Sequence, residues 1–122
     1  MADILIIDDE EIVRRSIRSI LEPEGHVIRE AATGEEGIST TYKQTPDLII
    51  TDIFMPDKDG LEVIQELRQK APSLKILAIT GGGVNHSFNL LPQAKVFGAR
   101  ATLQKPFLRE ELIAAVDQAL NA

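Results

Sequence analysis

Three short apolar runs, Ile4-Leu5-Ile6-Ile7, Leu48-Ile49-Ile50 and Ile76-Leu77-Ala78-Ile79, are continuous rather than alternating with polar residues. Unbroken β-branched runs of this kind are expected of strands buried on both faces of a parallel sheet. Val27-Ile28-Arg29 and Ala101-Thr102-Leu103 are weaker strand candidates. Between the runs the period changes. Val13, Ile17, Ile20 and Leu21 share one face of a helix, which Pro23 and Gly25 then stop. Thr33-Gly34-Glu35-Glu36 has the form of a capping box opening a second helix that reaches about Gln44. Asp59 is placed to cap a third helix, which turns Leu61, Ile64 and Leu67 inward and ends before Pro72. Gly81-Gly82-Gly83 and the residues after it read as a loop, followed by a helix at about 88–97 that Gly98 ends. The last helix carries Leu108, Leu112, Ala115, Val116 and Ala119 at helical spacing. Five strands alternating with five helices predict an α/β sandwich about a parallel sheet, with residues 1–122 as one domain.

In such a sheet, ligands bind outside the carboxyl ends of the strands. Those ends carry Asp8-Asp9, Thr51-Asp52, Thr80-Gly81 and Lys105-Pro106. Carboxylates crowded at one edge repel one another and are driven toward neutrality unless a cation is present. A hard divalent ion with oxygen ligands, Mg2+ above all, relieves this. A carboxylate beside Mg2+ can take a phosphoryl group as an aspartyl phosphate. The Lys105 ammonium, the Thr80 hydroxyl and backbone N–H groups would stabilise the transferred group. Each residue also has an ordinary reading. Asp8-Asp9 suits a helix cap, Asp52 and Thr80 suit turns, and Lys105 suits a solvated charge. The weight lies in their coincidence at strand ends that the topology brings together.

Composition narrows the classes. Apolar residues at 43% and charged residues at 26% are those of a globular protein, and the net charge of −6 disfavours direct binding of nucleic acid or an anionic membrane through this domain. Cysteine is absent, which excludes disulfides, thiolate metal sites and cysteine nucleophiles. Met1 leads straight into Asp3 without a signal-peptide pattern, and the apolar runs are far shorter than the roughly 20 residues of a membrane helix. A cytoplasmic protein is the expectation.

Taken in order, Ile4 through Asp8-Asp9-Glu10, Asp47 through Asp52-Ile53-Phe54-Met55-Pro56, Asp59-Gly60, Thr80, Gly98-Ala99 and Lys105-Pro106-Phe107 resemble the receiver domains of bacterial two-component response regulators, across essentially the whole chain. The resemblance implies a flavodoxin-like (βα)5 three-layer sandwich with strand order 2-1-3-4-5. It also implies that Asp52 accepts a phosphoryl group from a sensor histidine kinase or a phosphotransfer protein. By the same likeness Asp9 and Asp52 bind Mg2+ directly, Asp8 assists through water, and the main-chain carbonyl of Phe54 completes the protein ligands. Lys105, expected to precede a cis Pro106, pairs with the phosphoryl oxygens. Thr80 moves inward to hydrogen-bond to them, shifting a two-state equilibrium read by a downstream protein or effector domain. A homodimer formed on phosphorylation is compatible with this scheme.

The sequence departs from the family pattern in places. Thr102 stands three residues before Lys105, where an aromatic residue is common, so an aromatic switch is not expected in its usual form. The stretch from Thr80 to Lys105 is longer than usual and begins with three glycines. Phe54 and Gly82, two residues after Asp52 and Thr80, carry no group able to activate water, which implies slow self-hydrolysis of the phosphoryl group. Neither His26 nor His86 has a spacing that suggests metal binding or catalysis. A Mg2+-dependent phosphohydrolase would need a general acid where Phe54 stands, and a receiver-like fold that no longer takes phosphate would have lost an acidic residue or the lysine. No effector segment is expected after the last helix, so the chain reads as a stand-alone receiver or one cut from a longer protein.

Overall fold

The continuous apolar run of the first strand is explained by burial on both faces. In the computed structural model, which describes residues 2–53, 60–80 and 98–121, β1 is Asp3–Ile7, and Ile4 to Ile7 are all at 0% exposure. Its side chains alternate between two cores. Ile4 and Ile6 join Leu48, Ile50, Leu77 and Ile79 on one face, and Leu5 and Ile7 join Ile49, Ile76 and Ala78 on the other. Around it lie β2 (Val27–Ala31), β3 (Leu48–Asp52), β4 (Lys75–Thr80) and β5 (Ala101–Gln104). They form one five-stranded sheet in the order β2-β1-β3-β4-β5, and every pairing is parallel.

Helices cover both faces. α1 (Glu11–Leu21) lays Ile17 and Leu21 on the first core, together with Leu112, Ala115, Val116 and Ala119 of α4 (Arg109–Asn121). α2 (Gly34–Lys43) and α3 (Gly60–Lys70) cover the second core through Ile38, Val63, Ile64 and Leu67. This is the three-layer architecture and strand order expected above. The helix expected at about 88–97 and the Asp59 cap lie outside the described residues.

Local signals also meet their expected ends. α1 runs into a 3-10 turn, Glu22–Glu24, that contains Pro23, and Gly25 closes it at φ 94°, a left-handed conformation that glycine adopts without strain. At α2, Thr33 Oγ1 accepts from the Glu36 N–H at 3.0 Å. The Glu36 carboxylate reaches back to the Ala32 N–H at 2.6 Å, one residue earlier than a standard capping box. Leu108 departs from expectation. It precedes α4 and is 66% exposed, and its N–H donates to Glu111 Oε1 at 2.7 Å, which caps the helix start. Among the described residues, no helix is long and apolar enough to cross a membrane.

Candidate functional site

The parallel register gathers the strand ends at one edge. Ile7, just before Asp8, pairs with Thr51, just before Asp52, and Asp52 in turn lies opposite Ile79. Thr80 lies opposite Gln104, which leads into Lys105. Main-chain bonds extend this pattern past the strands. Asp8 N–H donates to Ala31 O at 3.1 Å, Ile53 N–H to Ile79 O at 2.9 Å, and Lys105 N–H to Thr80 O at 2.8 Å. The residues that follow the strands are therefore held in the sheet's frame.

Asp8, Asp52 and Thr80 are buried polar residues, at 2%, 4% and 4% exposure. Lys105 extends between the two carboxylates. Its Nζ lies 3.1 Å from Asp8 Oδ2 and 3.4 Å from Asp52 Oδ2. Burial disfavours the Lys105 ammonium, but the charges of Asp52 and Asp8 and their hydrogen bonds outweigh it and raise its pKa above the ordinary lysine value. It is an ion-paired group rather than a solvated surface charge. The peptide that follows, Lys105–Pro106, is cis.

The Asp8-Asp9 segment does not serve as the helix cap. The N-cap of α1 is Glu10, which makes no side-chain cap bond, and Asp8 Oδ1 instead accepts from the Glu10 N–H at 2.8 Å. That turn carries exposed Asp9 and Glu10 beside the buried carboxylates. Carboxylate oxygens of Asp8, Asp9, Glu10 and Asp52 lie within 4.8 Å of one another. An all-oxygen, strongly anionic donor set is what a hard divalent cation requires, so these residues fit Mg2+. Glu10 is a member that sequence reasoning did not assign. The signal available was the third consecutive acidic residue, left uncommitted by the cap. Phe54, whose carbonyl was expected to be a ligand, and Gly82 and His86 lie outside the described residues. His26 lies elsewhere and is structural: its Nδ1 accepts from the Ala2 N–H at 3.1 Å. Thr102 is half-buried on β5, in register with Ala78.

The response regulator receiver domain family matches residues 4–117. The chain belongs to that family. It is 31% identical over 119 residues to the chemotaxis protein CheY of Halobacterium salinarum, covering 98% of this chain and 97% of that one. It is 35% identical over 117 residues to a probable C4-dicarboxylate response regulator, DctR, of Halalkalibacterium halodurans, covering 94% of this chain and 50% of the relative. The chain thus spans the whole of some relatives and about half of others. Among solved structures, the receiver domain of NtrX from Brucella abortus superposes with a TM-score of 0.90 at 30% identity, covering 98% of this chain and 99% of that one. A putative response regulator from Chloroflexus aurantiacus does so at 0.90 and 32%, covering 99% and 98%. Receivers of this family are signalling phosphoacceptors of two-component systems.

Proposed function

We propose that this receiver takes a phosphoryl group onto Asp52 from a phosphohistidine of a sensor histidine kinase or a phosphotransfer protein, with Mg2+ bound by Asp8, Asp9, Asp52 and the Phe54 carbonyl. An Asp52 carboxylate oxygen attacks phosphorus and forms the new P–O bond. The P–N bond to the donor imidazole breaks, and the imidazole nitrogen keeps the electron pair and regains its proton from solvent. The bound ion supplies positive charge that offsets the phosphoryl oxygens. Lys105 contributes a second, fixed cation, and Thr80 contributes a hydroxyl donor.

One observation carries this reading: Lys105 Nζ sits between buried Asp8 and Asp52, at 3.1 and 3.4 Å. A lysine held there is poised to follow charge from the carboxylate to a phosphoryl group attached to it. Phosphorylation then shifts a two-state equilibrium sensed by a downstream protein or effector domain, with dimer formation as one output, in the cytoplasm. The protein promotes its own phosphorylation and dephosphorylation and is its own substrate.

Incubation with a small acyl phosphate and Mg2+, followed by intact mass measurement, tests this. A single phosphate adduct is expected in the parent and none in Asp52→Asn. The adduct should decay slowly, because Phe54 and Gly82 cannot activate water. An adduct that persists in Asp52→Asn would remove Asp52 from the role.

A further inference from the structure

The exposed carboxylates of the cluster sit on the turn between β1 and α1, and a turn is only as well defined as the groups that hold it. The Asp8 backbone is fixed from two sides. Its N–H donates to Ala31 O, and its carbonyl accepts from Arg14 Nη1 at 2.7 Å. That carbonyl belongs to the planar peptide unit joining Asp8 to Asp9. A hydrogen bond to it therefore fixes the plane from which the Asp9 side chain departs.

Arg14 is itself held. Its Nε donates to Glu30 Oε1 at 2.9 Å, with the two side chains 14% and 24% exposed. Glu30 lies on β2 next to Ala31, so one strand end supports both bonds to the Asp8 backbone. The other Glu30 oxygen accepts from Arg18 Nε at 2.7 Å, and Arg18 Nη1 donates to Glu22 Oε2 at 2.8 Å. Burial raises the Glu30 carboxyl's pKa, but Arg18 and Arg14 outweigh that and hold it below the ordinary glutamate value. The result is a charge-balanced chain of two arginines and two glutamates running from the surface to the Asp8-Asp9 peptide.

We infer that Arg14, oriented by Glu30, is a positioning residue for divalent-metal binding at Asp8-Asp9. The inference rests on the proposed function above. Two effects oppose each other. The guanidinium charge near the carboxylates disfavours a second cation, so by charge alone removing Arg14 would tighten Mg2+ binding. Its hydrogen bond orients the ligand-bearing peptide, so by geometry removing it loosens binding. Because the Glu30 carboxylate offsets the Arg14 charge, the orienting effect dominates.

Calorimetric titration of the unphosphorylated protein with MgCl2 separates the two. Arg14→Ala is expected to raise the dissociation constant about 10-fold, the scale of losing a group that orients a metal ligand. Glu30→Gln shifts it the same way by less, and Arg14→Lys falls between, since an ammonium cannot bridge both acceptors as the guanidinium fork does. Glu22→Gln, which touches only Arg18, leaves it unchanged. Phosphorylation by a small acyl phosphate recovers toward the parental rate in Arg14→Ala at saturating Mg2+, whereas general disruption of the site depresses the rate at every concentration. If Arg14→Ala does not fold, Arg14→Lys and Glu30→Gln carry the test. Unchanged or tighter Mg2+ binding in the variants overturns the inference. A parent that neither binds Mg2+ nor takes phosphate at Asp52 defeats the proposed function as well; a parent that does both, with variants that bind like it, defeats this inference alone.

Discussion

A lysine between two buried carboxylates is stabilising only while all three keep their charges, and this makes Lys105 the most sensitive residue of the site. Its raised pKa means that its contribution is complete below the ordinary lysine range and is lost as pH rises through the raised value. Lys105→Met leaves the buried Asp8 and Asp52 carboxylates without that cation, so their mutual repulsion is no longer offset by it. We expect a loss of about 2 kcal/mol at neutral pH in chelator-treated protein, below the range for a fully buried pair because the lysine keeps some solvent contact. The deficit should shrink at alkaline pH, where the parent also loses the charge. Urea unfolding of both proteins across pH reads this, and a deficit that does not vary with pH would show that packing rather than charge holds Lys105. Asp8, Asp52, Thr80 and Lys105 were legible because each lies at or within two residues of the carboxyl end of a strand-like run. The placement of Glu10, Arg14 and Glu30 beside them was not. It depends on where α1 crosses the end of β2, and single-chain spacing does not specify that.

At the scale of elements, β1, like β3 and β4, serves both cores through its alternate side chains. The last residue of β1, Ile7, is approached so closely by α2 that a Cβ at Gly37 would lie 2.3 Å from Ile7 Cδ1 and 2.6 Å from Cγ1. Ile7 is fully buried and immediately precedes Asp8, so it cannot yield without disturbing the site. Gly37→Ala therefore destabilises by about 1–3 kcal/mol, despite alanine's better helix propensity, because overpacking outweighs it. Denaturant unfolding measures the loss, and a variant as stable as the parent would mean that α2 can shift outward at no cost. The five strands and the capped and stopped helices were visible in the pattern because continuous apolar runs and punctuating Pro, Gly and Thr are local signals. The errors arose where tertiary context decides. Leu108 fits the helical period but is exposed at the helix start, and Val63, buried at 0%, was not among the inward residues expected of α3. β2 extends to Ala31 because β1 pairs with it that far.

At the scale of the whole molecule, the order β2-β1-β3-β4-β5 places β1 and β3 side by side although a strand and two helices separate them in sequence. The chain leaves β1 toward one edge and returns to its other side, and a crevice opens where the order reverses. Asp8 and Asp52 face that crevice from adjacent strands, which turns two separate acidic residues into one anionic centre. Part of the folding free energy is thereby set against their mutual repulsion. A cation that binds the folded centre, and finds no such centre in the unfolded chain, must stabilise the fold by mass action. At Mg2+ 100-fold above its dissociation constant the gain is about 2.7 kcal/mol. That is enough to raise Tm by several degrees in a domain of this size. Thermal unfolding with and without Mg2+ should show this rise in the parent. Asp52→Asn should show much less of it, because one ligand charge is gone while the fold-forming contacts remain. A monovalent salt matched in ionic strength should not reproduce the shift, since screening acts on all charges and coordination only on these. An equal shift in Asp52→Asn would place the cation elsewhere on this acidic chain and separate the carboxylate cluster from metal binding.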